Sequence, residues 1–291
     1  MDRDLLNFFG IPPPLLCKYM PPERIDVLQN QRIRFTPMLE TNDRFEVRRT
    51  FETALGSKAD DHLLSAFTQI DVGKIAQIVA AQVGIDVPSI DHEQLRHLGL
   101  RLAREKIVPA VNAPESIEAF LTDVGGRSCA LSLTDDPFNP SMWDRYAAQW
   151  KGFALYLDTA SIFFSSDRHG RKIRPEKVRY SDKLDEELIS NIRAPLITKL
   201  PVWSNEQEWR LIIDADNFPP ADDPDDQKAA DLRLRKVPPA AFAKILLGPE
   251  ASDELVAQCL ALRATSLHHL ELYRARPNRF SGEVVEEPIV L

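Results

Sequence analysis

Trp203-Ser204-Asn205-Glu206-Gln207-Glu208-Trp209-Arg210-Leu211-Ile212-Ile213-Asp214 runs from charged and amide side chains directly into an apolar stretch. Side chains of an extended chain alternate between faces. Glu206, Glu208, Arg210 and Ile212 are therefore expected on one side, and Gln207, Trp209, Leu211 and Ile213 on the other. Two carboxylates and a guanidinium then share one face of a strand whose opposite face belongs to a core. Neighbouring carboxylates repel, which raises one pKa, while the arginine pulls both down; that combination is common at catalytic sites. A solvated sheet face laced with cross-strand ion pairs has the same spacing, and spacing alone favours it somewhat.

Outward from this strand, the pattern alternates between short apolar runs and helical stretches. Leu15 to Met20 reads as a buried strand, and Pro21-Pro22 opens a helix to about Asn30, with proline where a missing N–H costs little. Arg32 to Thr36 follows as a second strand, which gives a compact β-α-β opening. From Ala59 to about Val124 apolar residues recur at three- and four-residue spacing, the mark of amphipathic helices. Gly125-Gly126 ends that block, and Ser128 to Leu133 reads as a buried strand. Asn139-Pro140 pairs an N-cap with a first-turn proline. The helix it opens carries Met142, Trp143, Tyr146, Ala147 and Trp150 before Gly152. Further strands are expected at Phe153–Leu157, Val178–Ser181, Glu208–Asp214, Leu232–Val237, Lys244–Leu247 and His269–Tyr273, and further helices at about Lys183–Arg193 and Ser252–Ala264. The sum is an α+β fold: one domain over residues 1–291, with a mixed, largely antiparallel sheet and a helical insertion at about 59–124.

At 291 residues and 44% hydrophobic content the chain can bury a substantial core. No apolar run approaches the ~20 residues of a membrane helix, and Met1-Asp2-Arg3-Asp4 lacks a signal-peptide pattern, so the expected compartment is the cytoplasm and no membrane partner is expected. Cys17, Cys129 and Cys259 are widely spaced in apolar contexts, as buried thiols are. The net charge of −8 argues against a broad nucleic-acid surface. The basic run Asp167 to Arg174 reads as a charged hairpin flank turning at Gly170, and Pro219 to Asp226 as a flexible acidic loop. Histidine and cysteine spacings match no metal motif, so no metal is expected. No nucleophile elbow or phosphate-binding loop occurs.

Several segments resemble the DUF2971 family of bacterial proteins. They are Leu16-Cys17-Lys18-Tyr19-Met20 with Arg24 to Leu28, Ile33 to Pro37 and Asn42 to Glu46; Ser128 to Ser132 with Met142-Trp143-Asp144-Arg145-Tyr146-Ala147 and Lys151-Gly152-Phe153; Glu206 to Arg210; and Lys244 to Gly248. The order of these parts is also similar to that in ADP-ribosyltransferases. There an early strand supplies a polar residue to the nicotinamide ribose, an aromatic stacks on nicotinamide, and a late strand supplies a glutamate.

That likeness implies an NAD-consuming transferase or NAD glycohydrolase, of the kind found in toxins and anti-phage defence, with NAD as substrate. Glu208 would stabilise the oxocarbenium-like centre, and Glu206 would orient or deprotonate the acceptor. Lys18, Tyr19, Trp143, Tyr146 and Arg210 would line the NAD site, with Trp143 mainly core and Tyr146 reaching the cleft. The usual early His or Arg is replaced by Lys18-Tyr19. The alternative is a non-enzymatic sensor or partner-binding domain in which the same residues interlock. A metal-dependent nuclease is disfavoured, because no lysine is placed beside the Glu206/Glu208 pair as in nuclease cores.

Overall fold

The computed structural model describes residues 10–42, 125–181, 194–221, 223–278 and 283–289, with isolated positions between 97 and 123. The chain divides into two compact units, one made of residues 1–42, 125–182 and 197–291 and the other of 43–124 and 183–196. The large sheet belongs to the first. The expected helical insertion at about 59–124, apart from those isolated positions, and the expected Lys183–Arg193 helix lie outside the described residues.

The frame is a nine-stranded α+β sheet. Its strands are β1 (Leu15–Met20), β3 (Thr36–Pro37), β4 (Ser128–Thr134), β5 (Phe153–Asp158), β6 (Glu176–Lys177), β9 (Glu208–Asp214), β11 (Phe242–Leu247), β12 (Glu271–Pro277) and β13 (Val284–Pro288). The spatial order is β13-β12-β11-β5-β1-β4-β9-β6, with β3 also paired to β4. Among the described residues of this sheet only β11 and β12 run parallel, and its other pairs are antiparallel. The mixed, mostly antiparallel character expected from the alternating pattern is thus present. One expectation fails: Arg32 to Thr36 is not one strand. It breaks at buried Phe35 into β2 (Arg32–Arg34), which pairs with β10 (Leu234–Lys236) in a separate ribbon, and β3, which joins the large sheet. The opening is therefore not a β-α-β unit within one sheet.

Both faces of the sheet are covered, which is why β9 is buried at six consecutive positions rather than alternately. Leu16, Met20, Leu131, Leu133, Leu155, Trp209, Leu211 and Ile213 form one face, packed with Val27 and Leu28 of α1 (Asp26–Asn30). The same core takes in Phe163 and Phe164 of α3 (Ile162–Ser165) and Leu255 and Cys259 of α5 (Asp253–Thr265). Cys17, Tyr19, Ala154, Tyr156 and Leu246 form the other face, against Met142 and Trp143 of α2 (Pro140–Tyr146). The three cysteines are free and buried.

Local chemistry sets the ends of these helices. Asn139 caps α2 by accepting from Ser141 N at 3.1 Å, with Pro140 at the first position. Ser252 caps α5 by accepting from Leu255 N at 3.2 Å. The Pro219–Asp226 segment, expected as a flexible loop, ends instead in α4 (Pro224–Asp231). Asp223 there accepts from Asp225 N and Asp226 N, so its carboxylate acts as a cap.

The α2 helix stops earlier than its aromatic spacing suggests. Ala148, Gln149 and Trp150 all adopt positive φ, at 49°, 55° and 69°. This left-handed turn swings Trp150 back onto Trp143, with ring centroids 5.2 Å apart and planes within 6°. Gly152 and Gly248 make the turn feasible: a Cβ on Gly248 would collide with the Trp150 carbonyl oxygen, and one on Gly152 with that of Met20.

Candidate functional site

Glu208 opens β9 opposite Thr134, and Arg210 lies opposite Ser132. Their parity puts both side chains on the sheet face covered by α2, away from Trp209 and Leu211, as the alternation implies. Glu206 arrives differently. It ends a 3-10 helix (Pro201–Glu206), and Gln207 then turns through a left-handed conformation, φ 45°, before the strand begins. The carboxylates therefore meet through a turn rather than through strand periodicity.

Between them stands Lys199 of β8 (Thr198–Lys199), a strand paired in parallel with β7 (Arg179–Tyr180). Its Nζ lies 2.7 Å from Glu206 Oε2 and 3.1 Å from Glu208 Oε2. Arg210 grips Glu208 in a fork, Nε to Oε1 at 2.8 Å and Nη2 to Oε2 at 3.0 Å. The Ser132 hydroxyl also bonds the Glu208 carboxylate, and Glu208 N donates to the Tyr180 hydroxyl at 2.8 Å. Glu206 Oε1 accepts from Tyr146 Oη at 2.9 Å and from Arg145 Nη1 at 3.1 Å. Glu206 and Glu208 are each 4% exposed, and Arg210 1%.

Burial opposes ionisation of Glu208, yet the charges of Arg210 and Lys199 and the bonds from Arg210 and Ser132 outweigh it and hold the carboxyl down to about 2. A raised, proton-carrying glutamate is thus absent at this position, and Glu208 is a permanent anion at neutral pH. Burial pushes the Tyr146 hydroxyl up, with the Glu206 charge adding to it, so the phenol stays a neutral donor.

The other residues singled out in the sequence have separate surroundings. Lys18 has the parity opposite to Cys17, which pairs with Thr134, and so projects from the other sheet face than Glu208. β1 meets β4 at Cys17↔Thr134, while β3 covers Cys129 and Ala130; Ser132 falls between. The Lys18 ammonium fills that gap, donating to the Ser132 carbonyl at 2.9 Å. Burial lowers it to about 8, with the Glu208 charge working against the shift. Tyr19 donates to the Asp136 carbonyl at 2.8 Å, accepts from Asn139 N at 3.2 Å, and meets Trp143 edge-on. Trp143 is 0% exposed and donates Nε1–H to the Pro137 carbonyl at 3.0 Å. The structure gathers Glu206, Glu208, Arg210 and Tyr146 into one network, then, and places Lys18, Tyr19 and Trp143 in their own packing.

Sequence reasoning missed Lys199, Arg145 and Tyr180. Lys199 had a signal: it is the lone charge in Ala194-Pro195-Leu196-Ile197-Thr198-Lys199-Leu200-Pro201-Val202-Trp203, a proline-bounded apolar run in which a lysine needs a buried partner. It also supplies what the sequence lacked, a lysine beside the carboxylate pair. Among the described residues, no group of three or more His, Cys, Asp or Glu side chains is placed to hold a metal ion, and no helix is long and apolar enough to cross a membrane.

A family model described as "Protein of unknown function (DUF2971)" matches residues 142–211. The matched stretch begins in α2 and ends in β9, so it contains both carboxylates, Lys199, Arg210 and the two residues of α2 that bond Glu206. The architecture is α+β, with a buried charged network at the start of β9, one strand in from the edge of the large sheet. Over that stretch the chain is similar to the DUF2971 family, which supports the resemblance read from its sequence. No curated protein and no solved structure compared with the chain matches it.

Proposed function

We propose that this chain is a recognition domain, a sensor or partner-binding module, rather than an enzyme that cleaves NAD. One observation carries the reading: both oxygens of Glu208, the residue best suited by sequence to stabilise a cationic centre, are already occupied by Arg210 and Lys199 in a site sealed from water. A carboxylate that must meet a developing positive charge has to face the reacting atoms; here its charge is spent on internal cations. Trp143 and Lys18, needed by the NAD reading at the same cleft, are bonded elsewhere. Desolvated ion clusters of this kind fix a unique local geometry, a role attested in some proteins. The network thus serves as a rigid base for the surface formed by α2 and the Pro201–Glu206 turn.

Incubation of the purified chain with NAD, following nicotinamide release, tests this. The expected result is release at the spontaneous rate. Release well above that rate, abolished in Glu208→Gln, would establish the NAD-consuming reading instead.

A further inference from the structure

We propose that Lys18 is a covalent binding site for a small aldehyde or ketone, which its amine captures as an imine. The site lies on the sheet face opposite Glu208, so the inference is independent of the recognition reading. Its same-face neighbours along β1 are Leu16 and Met20, and Leu155 stands across from it on β5. Leu131 and Leu133 of β4 belong to the same core. Lys18 itself is half-buried rather than sealed. Where β1 and β4 part beyond Cys17↔Thr134, the Ser132 carbonyl takes the Lys18 Nζ at 2.9 Å. Among the described residues that carbonyl is the one acceptor the Nζ bonds, and the charges acting on it are those of Glu208 and Arg24.

An ammonium brings three N–H donors, and each is costly to leave unmet where water is scarce; a neutral amine donates once to Ser132 and keeps a lone pair. The surroundings therefore suit the amine. Burial lowers the ammonium to about 8, the Glu208 charge opposing the shift and the Arg24 charge adding to it. Such a setting makes a lysine a nucleophile. The lone pair adds to the carbonyl carbon, and the resulting carbinolamine expels the carbonyl oxygen as water with two hydrogens from the amine. One further proton gives the iminium. That group has a single N–H, which the single acceptor at Ser132 receives. Its positive charge is of the sign that Glu208 favours, and the apolar neighbours limit water at the C=N bond. The sequence consumes no oxidant or reductant.

Reductive trapping on the full chain tests this. Glycolaldehyde and, separately, hydroxyacetone are added at pH 7 with cyanoborohydride, which reduces the iminium to a stable amine. Proteolysis and mass spectrometry then read the labelling residue by residue. At pH 7 an amine of pKa about 8 is ~10% neutral, against less than ~0.1% for an ordinary lysine. With lower basicity and partial burial set against that gain, Lys18 should label ~10-fold or more faster than the exposed Lys151 and Lys236 with at least one probe. The probe that reacts names the carbonyl class. The ratio of Lys18 to Lys151 labelling should fall as pH rises past about 8, because Lys18 is by then largely neutral while Lys151 is still losing its proton. Lys18→Met should lose the adduct while Lys151 and Lys236 label as before; the wild-type comparison carries the test if that variant does not fold. Lys18 labelling no faster than both exposed lysines with either probe, or a ratio that does not change with pH, overturns the proposal. Neither outcome bears on nicotinamide release, so failure of this site and failure of the recognition reading are separate results.

Discussion

Replacement of Lys199 by Met is the sharpest probe of the network's energetics. Methionine fills most of the lysine volume, so the change removes a charge rather than packing. In wild type the ammonium serves Glu206 and Glu208 at 2.7 and 3.1 Å. Without it Glu206 and Glu208 lose the cation they share, in a site where each carboxylate is 4% exposed. Breaking a buried pair by removing one partner costs ~3–5 kcal/mol. Arg210 and Arg145 still hold one oxygen or more of each carboxylate, so the lower end, ~3 kcal/mol, applies. At ~2–4 °C per kcal/mol that is a fall in Tm of ~6–12 °C.

The pH dependence has a definite sign. Glu208 is held at about 2 against a usual 4.5. A depressed carboxylate contributes stability above its unfolded pKa and loses it as pH falls through the folded one. Wild type should therefore lose about 3 kcal/mol from this group between pH 4.5 and 2, and the gap to the methionine variant should narrow over that window. Urea unfolding at pH 7 and pH 3 measures both. The double variant Lys199→Met/Glu206→Gln, which removes the stranded charge, should recover more than half of the loss. A single variant within ~1 kcal/mol of wild type at pH 7 would refute the reasoning.

Other consequences follow from individual contacts. Tyr146→Phe strips Glu206 of a donor at 2.9 Å, and chemical denaturation should show a loss of ~1.5–3 kcal/mol, as for hydrogen bonds to charged groups. Trp143→Ala empties a fully buried site that also supports Trp150 and should cost ~3–5 kcal/mol by the same assay. Gln149→Gly, exposed and at φ 55°, should raise the thermal midpoint, since left-handed geometry costs an L-residue ~1–2 kcal/mol. Among the described residues the buried Tyr156 hydroxyl has no hydrogen-bond partner, so Tyr156→Phe should leave stability unchanged or higher.

What the sequence made legible was whatever local periodicity controls. The β9 strand spans the expected Glu208–Asp214, although the alternation read back to Glu206 does not hold before Glu208, and the caps of α2 and α5 lie at Asn139 and Ser252, where short polar side chains precede helical runs. Periodicity lost its hold where tertiary contacts decide. The Ala148–Trp150 turn is left-handed because it must stack Trp150 on Trp143 and pass close to Gly248, none of which the helical spacing of the aromatics encodes. The grouping of Glu206, Glu208 and Arg210 was readable, although Glu206 reaches it through a turn at Gln207. Lys199 and Arg145 were not, because a buried ion's partner can come from any element that the fold brings near. Lys18 illustrates the converse: a charged residue on an early strand satisfies a backbone carbonyl where two neighbouring strands part, a need visible only once the strand order is known.

The unfolding free energy of Glu208→Gln tests the central claim, that Glu208 is part of an internal charge scaffold, most directly. A glutamine amide cannot accept both the Arg210 fork and the Lys199 ammonium, and its NH2 group opposes one of those donors. The substitution removes the carboxylate that the fork of Arg210, 1% exposed, grips. Urea denaturation at pH 7 should therefore show a loss of ~3–5 kcal/mol. A variant as stable as wild type, or more stable, would contradict the account, because that is the behaviour of a carboxylate kept for chemistry rather than for the fold.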